Sequence, residues 1–212
     1  MGPGSSLSVI VRWQQGPPEK IIIDYCIRHE IDLVLLAPKK RVIWQLFRLR
    51  SFVNIGRLLK KLNCPVMTVF QHPAASSIKN IVLPVGEDLP MRKLLFATYL
   101  AKMAHATIHL VSLDRKSNDV SGEAPESLYR SYRLLRENTN LEVECLTMAG
   151  GNLAESTWHY AQKIKADLIL INSGKESLLS GFFDDLRPHP LHRLYPRALF
   201  NVSRIPVMAL AG

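Results

Sequence analysis

The sequence is poor in cysteine and has no long apolar runs. Its three cysteines, Cys26, Cys64 and Cys145, have no CxxC or metal-like spacing, so neither a disulfide framework nor a metal site is predicted. The longest apolar runs, such as 33–37 and 168–171, are far shorter than the roughly 18 residues of a membrane-spanning helix. No membrane span is therefore expected within this sequence, and a reducing cytoplasm is the expected location.

The composition is that of a globular chain. Hydrophobic residues make up 47% of the sequence and charged residues 21%, which excludes a wholly disordered chain. The length of 212 residues exceeds one ordinary domain but falls short of two domains of about 150 residues each. Residues 1–5 resemble the remnant of a cleavable tag more than a signal peptide, and we leave them out of the fold prediction.

Two stretches about 135 residues apart follow one plan. In the first, Glu19 to Leu36 reads as an amphipathic helix followed by an apolar strand, and Glu155 to Ile171 repeats this order. Downstream, Cys64 to Val69 matches Ile205 to Leu210, each a short apolar strand entered through a proline. The chain therefore contains an internal repeat.

The longer copy predicts alternating strands and helices from residue 78 onward, which favours βαβ units on a parallel sheet. Its predicted strands are 79–85, 107–113, 141–148, 167–172 and 205–210. The shorter copy predicts strands at 7–12, 32–37 and 65–70 and helices at 17–30 and 44–62.

The domain prediction follows from this comparison. Residues 6–72 form the back half of one domain, 73–77 a linker, and 78–212 a complete domain. Because the first two strands and helices of the shorter copy are missing, the strand at 7–12 would lack its usual neighbour. Either the chain is trimmed from a longer tandem protein, which we favour because the tag remnant adjoins this strand, or a partner supplies the strands.

Residues 78–212 resemble a universal stress protein domain. The resemblance rests on Ile78 to Val85, Leu94 to Ala104, Ile108 to Leu113, Ala166 to Gly174 and Ser203 to Met208, in that order and spacing. It implies an α/β fold with a Rossmann-like, five-stranded parallel sheet flanked by helices, here in tandem with a truncated first domain. It also implies a cytoplasmic, dimeric and non-catalytic protein, some relatives of which bind ATP or related nucleotides.

The resemblance also implies candidate residues for nucleotide binding. Nucleotide-binding members carry a G-x-x-G turn after the fourth strand, then a G-(S/T) that opens the last helix, and an acid after the first strand. This sequence departs from that pattern, because 186–191 carries two prolines where the last helix should open. The candidate residues are Gly86, Glu87, Asn172, Ser173, Gly174, Lys175, Ser180 and Gly181. The ligand implied is ATP or AMP, and no cofactor is assigned.

The basic charge is concentrated in the shorter copy. Of the formal net charge of +9, residues 1–76 carry +7, and no acid lies between Asp32 and Glu87. The basic run from Lys39 to Lys61 could contact anionic lipid or nucleic acid. We favour a core-packing helix with a solvated basic face, because its apolar residues match the last helix of the family, so nucleic acid is not an expected partner.

The leading functional hypothesis is a regulatory or stress-response domain that binds an adenine nucleotide weakly or a protein partner, most simply a second copy. No enzyme is predicted, because Ser156, His159 and Asp167 form no recognisable triad and no nucleophile elbow occurs. The alternative is the cytosolic C-terminal regulatory tail of a cation/proton antiporter or another membrane transporter. Tandem domains of this kind occur at the ends of such proteins.

Overall fold

The computed structural model describes residues 8–37, 53, 55–69, 77–114, 125–149, 153–172 and 205–210. Within these ranges lie five helices and seven strands. The helices are α1 (Pro18–His29), α2 (Ile55–Lys61), α3 (Met91–Ala104), α4 (Glu126–Asn138) and α5 (Leu153–Lys163). The strands are β1 (Val34–Leu36), β2 (Val66–Thr68), β3 (Asn80–Pro84), β4 (Thr107–Asp114), β5 (Val143–Ala149), β6 (Leu168–Asn172) and β7 (Val207–Leu210).

The seven strands form one sheet in the order β1-β2-β7-β6-β3-β4-β5. Neighbouring strands are parallel except β2 and β7, which are antiparallel. The α/β prediction is therefore confirmed, and the five strands expected of the longer copy lie together as β5-β4-β3-β6-β7. The two strands of the shorter copy extend this sheet rather than forming one of their own.

Both faces of the central strands β3, β6 and β7 are buried, which explains the nearly continuous apolar sequence of these strands. One face packs against α3 and α4, where Leu94 and Leu128 cover Leu83 and Leu170; we call it the α3 face. The opposite face packs against α1, α2 and α5, as in the cluster around Trp158; we call it the α5 face. The core on the α5 face draws residues from both copies.

The antiparallel junction between β2 and β7 is symmetric in the repeat. Met67 pairs with Met208, and the flanking pairs are Val66 with Ala209 and Thr68 with Val207. In the sequence repeat Met67 corresponds to Met208, so each copy pairs with the other through equivalent residues. A local two-fold axis perpendicular to the sheet therefore passes between the two methionines.

Thr68 strengthens the junction. Its buried Oγ1 donates to the carbonyl of Val207 at 3.2 Å and accepts the Val207 N–H, also at 3.2 Å. A buried backbone amide without a partner would cost about 1–3 kcal/mol. The Thr68 hydroxyl therefore stabilises the junction by accepting the Val207 N–H.

The predicted strand at 7–12 is wrong for residues 8–12, which the structure describes. Residues 8–15 contain no strand, and Val9, Ile10, Val11 and Trp13 are 72–90% exposed. A strand needs a hydrogen-bonding neighbour, and none of the described strands lies beside this segment. Leu7, residues 38–52 of the basic run and residues 70–76 around the linker lie outside the described residues.

The α3 face is uncovered at β1, as the repeat shows. Leu33 and Leu35 are 39% and 59% exposed, whereas their equivalents Leu168 and Leu170 are 1% and 0% exposed. The equivalents lie in the cluster formed with α3, and the shorter copy has no described helix in the matching place. Two nearly identical strand sequences therefore have very different environments.

This difference predicts unequal costs for the same substitution. Leu170→Ala removes a fully buried side chain and should lower the free energy of unfolding by about 2–5 kcal/mol. Leu35→Ala should lower it by less than about 0.5 kcal/mol, since the side chain is already exposed to water. Urea denaturation monitored by circular dichroism measures both, and equal losses would show that β1 is covered on this face.

Candidate functional site

The carboxyl ends of β3 and β6 mark the place where the chain changes direction across the sheet. From β3 the chain continues to β4 and β5 on one side, and β6 and β7 lie on the other. The register pairs Ile81 with Leu168, and the same offset brings Val85 level with Asn172. In doubly wound sheets ligands bind in the crevice at such a switch point.

The loop after β3 is held by side chains from three different elements. The carbonyl of Pro84 accepts a hydrogen bond from Lys93 Nζ on α3, and that of Val85 accepts one from Ser112 Oγ on β4 at 2.7 Å. The carbonyl of Gly86 accepts one from Ser127 Oγ at the start of α4. We call Lys93, Ser112 and Ser127 the carbonyl clamp.

All three clamp residues are buried, with exposed fractions of 0% for Lys93, 1% for Ser112 and 6% for Ser127. Burying an ammonium group is costly unless it is hydrogen-bonded, and the contact with Pro84 meets part of that need. Lys93 shares its helix face with Ala97 and Ala101, which are also fully buried. Small side chains at these positions leave room for the lysine stem.

Gly86 leaves the backbone of this loop accessible. A Cβ atom placed on Gly86 would have no neighbour within 4 Å, so there is open space beside the residue. The next residue, Glu87, is exposed, and Asn172 at the end of β6 is half-buried. The fold thus brings Gly86, Glu87 and Asn172 to one edge of the sheet. Ser173, Gly174, Lys175, Ser180 and Gly181 lie outside the described residues.

Sequence reasoning missed the carbonyl clamp. Signals were present: Lys93 stands at i and i+4 spacing with two alanines on a buried helix face, and Ser112 interrupts the apolar strand that begins at Ile108. A polar residue among apolar neighbours indicates a buried hydrogen bond. Neither sequence signal identifies the acceptor.

A second polar cluster lies at the amino ends of the strands, on the α5 face. His109 is 5% exposed; its Nε2 lies 3.1 Å from Asn80 Oδ1 and its Nδ1 lies 3.1 Å from the Tyr160 hydroxyl. Because the Asn80 oxygen can only accept, Nε2 carries the proton, and Nδ1 accepts from Tyr160. Glu144 Oε2 is also 3.2 Å from Nδ1. This cluster joins α5 to the sheet.

Burial lowers the pKa of His109, and the nearby carboxylates of Glu144 and Glu142 oppose that effect. Desolvation of the imidazolium is the larger cause. The neutral ring is therefore the form that the folded protein favours near neutral pH.

The residues considered for a catalytic triad do not meet. Asp167 Oδ2 accepts the backbone N–H groups of Lys79 and Asn80, at 2.8 and 2.9 Å. His159 is an exposed residue of α5, 3.8 Å from Glu155. Among the described residues, no group of three His, Cys, Asp or Glu side chains is placed to hold a metal ion.

The fold is similar to that of known proteins. A universal stress protein from Archaeoglobus fulgidus DSM 4304 matches over 95% of this chain and 68% of its own, with 16% identity and a TM-score of 0.64. A protein of unknown function from Pseudomonas aeruginosa PAO1 matches over 98% of this chain and 72% of its own, with 18% identity and a TM-score of 0.56. The chain therefore has the universal stress protein fold.

No protein-family model matches the sequence, and no curated protein is significantly similar to it. The tandem arrangement with a truncated first domain stays a prediction. In the described part of the chain, no helix has both the length and the apolarity needed to cross a bilayer. The transporter-tail alternative also stays a prediction.

The His109 cluster predicts a pH-dependent stability. Because the folded pKa lies below the unfolded value of about 6.5, the unfolded chain binds a proton first as the pH falls. The contribution of His109 to the free energy of unfolding is fully present above about pH 6.5 and is lost as the pH falls toward the folded pKa.

The matched variant is His109→Gln, which cannot titrate. Urea denaturation at pH 7.5, 6.5 and 5.5 should show the wild-type advantage over His109→Gln shrinking as the pH falls. The two proteins differ at residue 109 alone, so the difference between their stabilities isolates the histidine. A constant or growing advantage would contradict the assigned neutral ring.

Proposed function

We propose that this chain is a non-catalytic regulatory domain that binds an adenine nucleotide, ATP or AMP, in the crevice between the ends of β3 and β6. The observation that carries the proposal is the open backbone at Gly86, on a loop fixed by the carbonyl clamp at the switch point of the sheet. The fold supports the place of binding. The chemistry at that place supports a polar ligand.

The absence of a side chain at Gly86 lets a ligand come close to the main chain. Glu87, exposed beside it, offers carboxylate oxygens to a hydroxyl or amino group of the ligand. On the other side of the crevice, Asn172 offers an amide that can both donate and accept. We propose that Ser173, Gly174, Lys175, Ser180 and Gly181 contact the phosphates, with Lys175 supplying positive charge.

We infer that the protein acts in the cytoplasm. Cys26 and Cys64 are both buried free thiols, and burial raises the pKa of each. Buried thiols of this kind are unreactive and are usual in a reducing compartment.

An exposed apolar row on α3 favours a second candidate function, a scaffold that binds a protein. Leu95, Tyr99 and Met103 follow one another at i and i+4 spacing and are 64–71% exposed. Single exposed apolar residues are common, but a contiguous row more often marks an interaction site. The partner we propose is a second copy of this chain.

The nucleotide site is tested by Gly86→Ala. Since Gly86 does not adopt a positive φ and has open space beside it, alanine should leave stability unchanged or raise it by about 0.4–1 kcal/mol. The added methyl group should weaken nucleotide binding roughly tenfold or more, because it occupies the ligand's approach to the backbone. Isothermal titration calorimetry with ATP, AMP and cyclic AMP measures the affinity.

The control is Lys102→Ala, a substitution at an exposed position on α3. It should change neither the free energy of unfolding nor the nucleotide affinity. Equal affinities of the wild type and Gly86→Ala would place the ligand elsewhere. If the wild type gives no heat of binding with any of the three nucleotides, nucleotide binding is overturned and the scaffold function is the remaining candidate.

The scaffold is tested by Leu95→Glu. A charge at the first position of the exposed row on α3 should shift a wild-type dimer to the monomer without lowering the free energy of unfolding of the monomer, because Leu95 is already exposed. Sedimentation velocity at several concentrations measures the assembly. A dimer that survives the substitution would show that this row is not its interface.

A further inference from the structure

We propose that the edge of β1 facing away from β2 is a docking site for a strand followed by a helix, and that Asp32 binds the backbone N–H groups at the start of that strand. The occupant is the shorter copy's own counterpart of β3 and α3, a polypeptide segment that lies outside residues 1–212. This inference does not depend on nucleotide binding.

The two copies have the same backbone structure between the helix and the strand. In each copy a residue with positive φ follows the helix, and the N–H of the next residue donates back to a helix carbonyl. These residues are Glu30 (φ 47°) and Lys165 (φ 54°), and the hydrogen bonds run from Ile31 to Cys26 at 3.3 Å and from Ala166 to Ala161 at 2.8 Å. Asp32 and Asp167 come directly afterwards. Asp32 therefore takes the place in the shorter copy that Asp167 takes in the longer copy.

The strands that follow the two aspartates pair with their neighbours in the same register. The equivalent pairs are Val34 with Val66 and Ile169 with Val207, then Leu35 with Met67 and Leu170 with Met208. In both copies the N–H of the first paired residue donates to a proline carbonyl at 3.0 Å, that of Pro65 or Pro206. Because the pairing is equivalent, the other neighbour of β6 shows where a further neighbour of β1 belongs.

That other neighbour of β6 is β3, and Asp167 holds its first residues. β3 runs parallel to β6, with Ile81 level with Leu168. The Asp167 carboxylate accepts the N–H groups of Lys79 and Asn80, at 2.8 and 2.9 Å, where β3 begins. Hydrogen bonds from backbone N–H groups to a carboxylate are charge-assisted and stronger than neutral ones. We expect Asp32 to make the same pair of bonds to a strand beside β1.

The side chains beside Asp32 also match a docking site for a strand and a helix. β1 is the terminal strand of the described sheet, and Asp32, Leu33 and Leu35 are all exposed. In the longer copy, α3 follows β3, contacts β6 and shares a cluster with Leu168 and Leu170. A helix that follows the added strand would cover Leu33 and Leu35 in the same way.

The direction of the added strand distinguishes this occupant from a second copy of the chain. An exposed edge strand binds another strand through main-chain hydrogen bonds, and a parallel strand begins beside Asp32. Two copies that paired β1 with β1 around a two-fold axis would be antiparallel. Each Asp32 would then lie beside the end of the other β1, where no strand begins.

The probe is a synthetic peptide with the sequence of residues 77–105, which contain β3 and α3. The peptide carries Leu95→Glu and Met103→Glu, at positions that are exposed in α3, so that its apolar row does not bind. Fluorescence anisotropy measures binding of the labelled peptide to the full chain. In a second format the same segment is joined to the amino end of the full chain by a glycine-serine linker, which raises its effective concentration.

Two substitutions in the full chain test the site. Leu35→Glu places a charge under the docked helix and should weaken peptide binding by more than about tenfold, and Asp32→Asn should weaken it by about tenfold because it removes the charge from the acceptor. The matched controls on α1 are Ile27→Glu, at a position that is 65% exposed, and Asp24→Asn. Because α1 covers the opposite face of the sheet, both controls should bind within about twofold of the wild type.

Hydrogen exchange provides a measurement of the backbone itself. In the linked format, the amides of Leu33 and Leu35 should exchange at least about tenfold more slowly than in the unlinked chain, because a paired edge is protected from water. Asp32→Asn should reduce this protection, whereas Asp24→Asn should leave it unchanged. An apolar contact without strand pairing would bury Leu35 but would not protect these amides.

Each of four results would overturn the inference. Absence of both peptide binding and amide protection would show that β1 accepts no strand, and binding that Leu35→Glu leaves unchanged would place the peptide elsewhere. A loss of binding with Leu35→Glu but not with Asp32→Asn would remove the role of Asp32. If the wild type alone forms a dimer in sedimentation velocity that Leu35→Glu disrupts, the occupant is a second copy.

Discussion

The antiparallel pairing of β2 with β7 is the contact on which the arrangement of the shorter copy depends. The two described strands of that copy have three residues each, and a two-stranded sheet of this size is not stable alone. By pairing with β7, they join a sheet of seven strands. Apolar residues of the shorter copy, including Leu58 of α2 and Val66 of β2, then share one cluster with Trp158 and Val207 of the longer copy.

The same pairing determines what the shorter copy leaves exposed. Because β2 uses one side for β7 and the other for β1, β1 becomes the edge of the described sheet. Leu33 and Leu35 face the layer that α3 covers at β6, yet they remain largely exposed. The exposed apolar segment at Val9 to Val11 has a separate cause: no described strand pairs with it, and a strand without a neighbour gains no hydrogen bonds from being extended.

Much of the fold could be predicted from the sequence because periodicity is a local property. The alternation of apolar strands and amphipathic helices from residue 78 onward predicted β3 to β7 and α3 to α5 within a few residues of their ends. The strand at 7–12 failed because pairing requires a partner that local sequence cannot supply. The repeat indicated that Met67 and Met208 are equivalent, but not that equivalent residues would face each other.

The candidate site was predicted in part for a related reason. Gly86, Glu87 and Asn172 follow strands directly, so an α/β pattern is enough to place them at one edge of the sheet. The carbonyl clamp required knowledge of tertiary contacts, because Lys93, Ser112 and Ser127 belong to three different elements and lie 9, 27 and 41 residues along the chain from the carbonyls they bind. Its acceptors are backbone carbonyls, which have no signature in the sequence.

The two polar clusters show why the carboxyl edge of the sheet is the better candidate for function. At the amino edge, both ring nitrogens of His109 already have partners, in Asn80 and Tyr160, so this cluster is complete without a ligand. At the carboxyl edge, the clamp satisfies carbonyls of the loop while open space remains beside Gly86. A buried network that fixes an accessible backbone segment holds that segment in one conformation, as a binding site requires. The open segment at Gly86, rather than the titratable His109, is therefore where we expect a ligand.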